Sequence, residues 1–415
     1  MLFINIKGEI MKKFIMYGAG NIGRGFIGQV FSQGGYEVGF IDVNQDFINA
    51  FNTNKEYPVD IVSNDGTEEQ IVKNVYGIDG RDVELVSNEI MSADMMATAI
   101  GVNILKFIAK PLALGLKKRF LNNRPKFDII ICENLIGADE YLKGLIKAEI
   151  PEFADKVDSD IGFVEASIGR MVPVMTDEKR KGNVLRVCVE PYNVLPVDKN
   201  AFKGEIPEIK NLYPYSPFSL FIERKLFMHN MSHALCAYLG NLKGYEFIYQ
   251  AVEDKEIRLI AKKALTDIAV AMSKEHGADI ASLIAHGDNL IYRFANKALA
   301  DTVNRVGKDT IRKLSSNDRI IGALKLCEKY GVDCSAFAIG VASAMKFAPS
   351  DDERSIELSN FASENGASKT LEKYSEYAGK NVELIEKLYA MISGGSSLVE
   401  LNEYCDNLRE KEMKV

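Results

Sequence analysis

The stretch KKFIMYGAGNIGRGFIG, residues 12–28, decides how the rest of the chain is read. An apolar run of strand length ends at Tyr17, and Gly18, Gly20 and Gly23 follow in the spacing G-x-G-x-x-G. Each glycine has its own physical task. Gly18 permits a tight turn, Gly20 lets the backbone approach a pyrophosphate, and Gly23 lets helix and strand pack closely. Ala19, Asn21, Ile22 and Arg24 complete the loop as it enters a helix, whose N-terminal N–H groups and positive dipole end suit phosphate. Asp42 ends the next strand-like run about 20 residues further on, where an acid accepts the ribose hydroxyls. A carboxylate there repels a 2′-phosphate, so the expected cofactor is NAD rather than NADP.

Working outward, residues 36–44 read as a second strand followed by a helix through Phe51. The runs at 95–101 and 127–134 read as further strands, each followed by a helical pattern. Strands alternating with helices predict a parallel, doubly wound, Rossmann-like sheet, making the fold class α/β. Between about 155 and 212 several short extended runs lie among prolines. Beyond Pro217 long helical patterns dominate and Pro349 is the only proline. The reading is therefore a nucleotide-binding domain over residues 1–215 and a mainly helical substrate domain over 216–415. The polar stretch from about 394 reads as a peripheral helix or a frayed tail. Met11 opens a more natural beginning than Met1, so residues 1–10 read as an upstream extension.

With 415 residues, 47% hydrophobic and 26% charged, the chain can build two cores. A net charge of -7 argues against nucleic acid or an anionic membrane as partner. No segment has the length of uncharged apolar residues that a membrane span needs, and no signal peptide is read, so the expected location is the cytoplasm. The six cysteines are scattered without a Cys-x-x-Cys, as free thiols would be.

A second segment, ERKLFMHNMSHAL (223–235), places a lysine, an asparagine and two histidines in a run otherwise suited to a buried helix. At about 100° per residue, His229, His233 and Asn230 fall about 40°, 80° and 140° from Lys225. His229 and His233 could share a zinc ion, but Asn230 stands where a metalloprotease helix has glutamate and no third ligand is near, so no metal is expected. A desolvated lysine can serve as proton partner in hydride transfer, and an asparagine amide can donate to a developing alkoxide.

Lys225, Asn230 and His233 match the K-x-x-x-x-N-x-x-H motif, and the chain resembles the polyol-specific long-chain dehydrogenases, the mannitol dehydrogenase family. GAGNIGRGFIG, ICENLIG and RVGKDTIRKLSSNDR extend the resemblance from about Met11 to Ile392. It implies Lys225 as general acid/base, Asn230 and Asn134 as oxyanion donors, and His233 as the group orienting lysine and substrate. His229 falls outside the motif and is taken as structural. One position departs: where the family has V-D-R-x-V-P this chain reads IGRMVP, with Gly169 for the aspartate and Arg170 kept. That departure bears on the hexitol, not on the chemistry.

Residues 305–319 carry Arg305, Lys308, Arg312, Lys313 and Arg319 against Asp309 and Asp318. Composition alone makes this a solvated helix face. The resemblance points instead to the phosphate-specific branch, with Arg305, Lys308, Arg312 and Lys313 clamping a phosphate. The implied reaction interconverts mannitol 1-phosphate and fructose 6-phosphate, and the implied partner is a small sugar or polyol phosphate. Hexuronate reductases and dehydrogenases of unphosphorylated mannitol are the alternatives within the superfamily. A non-catalytic nucleotide-sensing protein would be expected to have lost the lysine segment, which is intact. Monomer and small homo-oligomer both remain open.

Overall fold

A computed structural model describes residues 11–412; the expected extension at 1–10 lies outside the described residues. The chain divides after Phe221 into two compact units.

The first unit is built on a six-stranded parallel sheet: β1 (Lys13–Tyr17), β2 (Glu37–Asp42), β5 (Val75–Asp79), β6 (Met95–Thr98), β7 (Phe127–Ile131) and β8 (Ile161–Glu165), in spatial order β5-β2-β1-β6-β7-β8. The sheet is doubly wound because its strands are apolar on both faces. Along β1, Phe14 and Met16 enter one core while Ile15 and Tyr17 enter the other. Each fully buried Phe or Ile contributes roughly 1.5–3 kcal/mol. The strand order reverses between β1 and β6, so the ends of these two strands form the crevice where such sheets bind ligands.

A hairpin absent from the sequence reading fills the gap after β2. Strands β3 (Glu56–Ser63) and β4 (Gly66–Lys73) pair antiparallel, and β3 also pairs parallel with β9 (Val187–Val189). The sequence of β4, GTEEQIVK, is polar because the strand is an exposed edge, and polar edges resist aggregation. That polarity hid it from a search for apolar runs.

Among the described residues, the secondary structure of the second unit is helical apart from an isolated bridge between Phe247 and Thr302. Its core is the nearly all-buried helix Met231–Leu242, packed against Lys255–His276, Ser335–Ala344 and Val303–Gly307. The 22-residue helix Lys255–His276 starts where the Asp254 carboxylate accepts the N–H groups of Glu256 and Ile257 and stops at Gly277, whose φ is 64°. The polar C-terminal stretch ends in a helix, Leu398–Glu412, anchored by buried Leu398, Leu401 and Cys405. All six cysteines are free and buried. No helix among the described residues is long and apolar enough to cross a membrane.

Candidate active site

The glycine loop leaves the end of β1, and its three glycines meet three different surroundings. Gly18 has φ 103°, and a Cβ on it would lie 2.5 Å from the Ala99 carbonyl oxygen at the end of β6. A Cβ on Gly23 would lie 2.0 Å from the Gly18 carbonyl oxygen, so any side chain there forces the helix off the strand. A Cβ on Gly20 would meet nothing within 4 Å. The loop is thus closed below and open at the glycine that a pyrophosphate approaches, and this chain's residues fit a dinucleotide. The Asp42 carboxylate accepts the Ala19 N–H at 2.8 Å and the Asn44 N–H at 2.9 Å, one on each oxygen. Lone pairs remain on both oxygens for ribose hydroxyls.

The helix that follows opens into a π-helical turn at Gly23–Ile27, where the Gly28 N–H donates to Gly23 five residues back. Such a turn strands carbonyls that an α-helix would satisfy, and side chains from elsewhere meet two of them. The Tyr57 hydroxyl donates to the Arg24 carbonyl at 2.7 Å, and the Arg170 guanidinium donates to the Gly25 carbonyl at 2.9 Å. Arg170, itself buried, also holds Gln29 Oε1 at 2.6 Å and the Glu190 carbonyl at 2.9 Å. Arg24 is buried, donates to the Ala19 carbonyl and lies over the Phe47 ring at 4.4 Å. Burial pushes its guanidinium down to about 10. Its side chain props the loop from beneath, whereas Asn21 is exposed on the loop and Ile22 is half-buried.

Asn134, also in the first unit, is exposed just beyond β7. Its neighbour Glu133 accepts the N–H groups of Ile100 and Gly101 at 3.0 and 2.8 Å, bracing the loop after β6. Sequence reading passed over Glu133, although an acid in a polar loop beside a strand end was the available signal. At Gly169 a Cβ would come within 3.2 Å of the Tyr192 ring, so tyrosine occupies the space beside this glycine.

In the second unit the lysine segment is not the plain α-helix that the 100° wheel assumed. Residues Arg224–Asn230 form a second π-helical turn, closed by the Met231 N–H donating to the Leu226 carbonyl. Ser232 Oγ serves the Met228 carbonyl at 2.5 Å. A π-turn is closed by an i→i+5 hydrogen bond and is wider than an α-turn, so residues five apart come nearer to one bearing. Lys225 and Asn230 are therefore closer in bearing than the about 140° of an α-helix, and His233 follows three residues on, along the same face.

The ring of His233 lies on Phe294, centroids 4.6 Å apart and 10° from parallel, while His229 meets His233 edge-on at 6.0 Å. Burial holds both imidazoles below their usual range, and for His229 the nearby Arg293, His233 and Lys225 push the same way. His286 is pushed down to about 3 by burial, then by Arg224 and Arg293. Around Lys225 the imidazoles are thus neutral, acting as single donors and acceptors and not as cations. Among the described residues no group of three or more His, Cys, Asp or Glu side chains is placed to hold a metal.

The basic segment is largely engaged with carboxylates. Arg305 pairs with Asp301 at 2.5 Å, Lys308 with Asp351, and Arg312 with Asp309 at 2.8 Å and Asp318 at 3.3 Å. Lys313 is buried, donates to the Val306 carbonyl at 2.5 Å, and is pushed down to about 7 by burial, then by Arg319 and Arg312. Arg305, Lys308 and Arg312, with side chains 54%, 39% and 43% exposed, are the cations of the segment that solvent reaches.

The family model for the mannitol dehydrogenase Rossmann domain matches residues 12–211, and that for the mannitol dehydrogenase C-terminal domain matches residues 218–400. A mannitol-1-phosphate 5-dehydrogenase of Caldanaerobacter subterraneus subsp. tengcongensis is 35% identical over 387 residues, 92% of this chain and 99% of that relative. A D-sorbitol dehydrogenase in substrate-free form aligns with a TM-score of 0.80 at 17% identity, over 94% of both chains. Pseudomonas fluorescens mannitol 2-dehydrogenase, in ternary complex with NAD and D-mannitol, aligns with a TM-score of 0.72 at 15% identity, over 97% of this chain and 95% of its own. These two are likenesses of fold.

Proposed function

The chain belongs to the mannitol dehydrogenase family, and from that premise we propose that it interconverts mannitol 1-phosphate and fructose 6-phosphate with NAD in the cytoplasm. The substrate reading is supported by the 35% identical relative, which this chain covers almost end to end. The chemistry is supported by one observation above the others: the wide turn at Arg224–Asn230, which brings Lys225 and Asn230 nearer to one bearing than α pitch would.

The loop at Gly18–Arg24 and Asp42 would hold NAD, which would supply a hydride acceptor for the carbinol carbon and, reduced, a hydride donor in the reverse direction. Lys225 takes the hydroxyl proton in oxidation, so the O–H electron pair becomes the new C=O bond, and gives a proton back in reduction. Asn230 and Asn134 each donate an amide N–H to the oxygen on which charge develops. His233, uncharged, orients lysine and substrate. Gly18 and Gly23 close the loop, Gly20 leaves room for the pyrophosphate, and Asp42 receives the ribose hydroxyls. Lys308 and Arg312 exchange a carboxylate for the substrate phosphate, with Arg305 and Lys313 beside them.

A free hexitol is the second reading. It is favoured by the carboxylates already paired with Arg305, Lys308 and Arg312. Oxidation of NADH by fructose 6-phosphate, fructose and a hexuronate, measured side by side, tests both. The proposal expects strong turnover with fructose 6-phosphate alone; equal turnover with fructose moves the assignment to the free sugar.

A further inference from the structure

Asp301 lies outside the K-x-x-x-x-N-x-x-H segment, 68 residues beyond His233, and no motif singles it out. We infer that Asp301 is a positioning residue for the dehydrogenase reaction, one that holds His233 as the tautomer with its hydrogen on Nε2 and a bare lone pair on Nδ1. The inference deepens the proposed function and rests on it for the role given to His233.

The geometry is a chain of three groups. His233 Nε2 stands 3.1 Å from Asp301 Oδ2, and Asp301 Oδ1 is gripped by Arg305 through Nε at 2.6 Å and Nη2 at 2.5 Å. The imidazole–carboxylate contact is bent away from ideal hydrogen-bond geometry, as such contacts commonly are before substrate binds. The Asp301 side chain is 11% exposed, and its backbone carbonyl accepts the Ile248 N–H at 2.9 Å, so the carboxylate cannot drift. Burial would raise Asp301, yet His233 and Arg305 together hold it below the ordinary carboxylate range. It therefore stays an anion, and an ionised carboxylate only accepts.

A neutral imidazole has one N–H. With an obligate acceptor facing Nε2, that hydrogen is drawn to Nε2 and Nδ1 keeps its lone pair. The Phe294 ring stacked on the imidazole prevents the flip that would swap the two nitrogens. A bare Nδ1 can accept a hydrogen bond from the lysine ammonium or a substrate hydroxyl; a protonated one would offer a second donor where a donor already stands. Arg305 acquires a different task from the phosphate clamp: it keeps Asp301 charged and still.

The test needs no substrate for its first readout. Ring ¹⁵N shifts of His233 in the wild-type protein should show Nε2 protonated and Nδ1 bare at neutral pH. The opposite pattern overturns the inference whatever the enzyme's substrate proves to be. In Asp301→Asn the amide can present its own N–H to Nε2, so the two nitrogen shifts should exchange. With the substrate of the wild-type enzyme, kcat should then fall by about tenfold to a hundredfold while NADH affinity is kept. A variant that retains both the wild-type ¹⁵N pattern and the wild-type kcat removes Asp301 from the mechanism. If Asp301→Asn does not fold, the wild-type shifts alone decide. Failure of the sugar-phosphate reading would appear separately, as turnover with another polyol and an unchanged His233 tautomer.

Discussion

The glycine loop at 18–28 and the basic segment at 305–319 are both conspicuous in the sequence, and they differ in what determines their structure. In the loop the requirements are steric and set by backbone: Gly18 needs a positive φ, and Gly23 faces a carbonyl oxygen 2.0 Å from where a Cβ would sit, only five residues back. In the basic segment meaning comes from the partner that each cation meets. Lys308 is answered by Asp351, Arg305 serves Asp301, and Lys313 is turned inward to a backbone carbonyl. Steric rules along the chain survive without the fold, whereas the consequence of a charge depends on who stands opposite.

The largest effect should come from the loop. Gly23→Ala drives a methyl into backbone, which cannot step aside, and should destabilise the first unit by about 3 kcal/mol or abolish its folding. Gly20→Ala sharpens the contrast. It should leave the melting temperature almost unchanged and weaken NADH binding by about tenfold, as read by melts with and without NADH. If Gly20→Ala binds NADH normally, the open side of the loop is not where the cofactor approaches.

Next is the lysine. Lys225→Ala should lower turnover at least about a hundredfold while NADH binding persists. Fluorescence titration beside steady-state kinetics checks both halves, and near-normal turnover would remove Lys225 from the proton transfer.

The basic segment should answer more weakly, because its cations are already engaged. Lys308→Ala with Arg312→Ala should raise KM for fructose 6-phosphate about tenfold, the effect of losing charge-assisted bonds worth roughly 1.5–3 kcal/mol each, less the carboxylate pairs given up. Activity with fructose should change much less; an equal loss with both sugars would break the clamp. Arg305→Gln separates the two tasks offered for Arg305. A change confined to KM for the phosphorylated sugar supports a clamp, while a fall in kcat for any substrate supports the link through Asp301.

The smallest effect is a pH dependence. Lys313 is lowered to about 7 in the folded protein from an ordinary lysine value of 10.5. Between those values the unfolded chain binds a proton that the folded chain does not, so this residue makes stability rise with pH across that window. Below about pH 7 its charging adds no further slope. The difference in denaturation midpoint between wild type and Lys313→Met should change between pH 7 and 9, by on the order of 1 kcal/mol per pH unit. A constant difference would mean that Lys313 keeps its charge.

Much of the first unit's fold could be read because doubly buried strands are apolar on both faces, and β1, β2, β6 and β7 are of that kind. The β3–β4 hairpin could not, since an exposed edge strand such as GTEEQIVK looks like a loop. The loop glycines and Asp42 announced themselves by spacing. Arg24, inside the same motif, did not reveal that it turns under the loop, because burial of a cation is settled by Ala19, Phe47 and Tyr57 together. The lysine, asparagine and histidine were visible as residues, but a wheel of fixed pitch placed Asn230 on the wrong bearing. Asp301 carried no local signal at all; only the fold brings it to His233.

The π-turn at Arg224–Asn230 makes the distance between lysine and asparagine a matter of chain length rather than side-chain chemistry. A wide turn holds one residue more than the α-turn it replaces. Substitutions at Leu226 or Phe227 keep that count, but deleting a single residue there would let the segment relax to ordinary α pitch. Asn230 would then stand four residues from Lys225 and about 40° away, whereas closing to α pitch with the count kept would put it about 140° away. In that second case the helix would remain as apolar, as long and as well packed on paper, with its functional groups looking in different directions. For this segment the pitch and the residue count must therefore agree, and relatives that keep the chemistry should vary freely in composition between the lysine and the asparagine while changing in number only together with the wide turn.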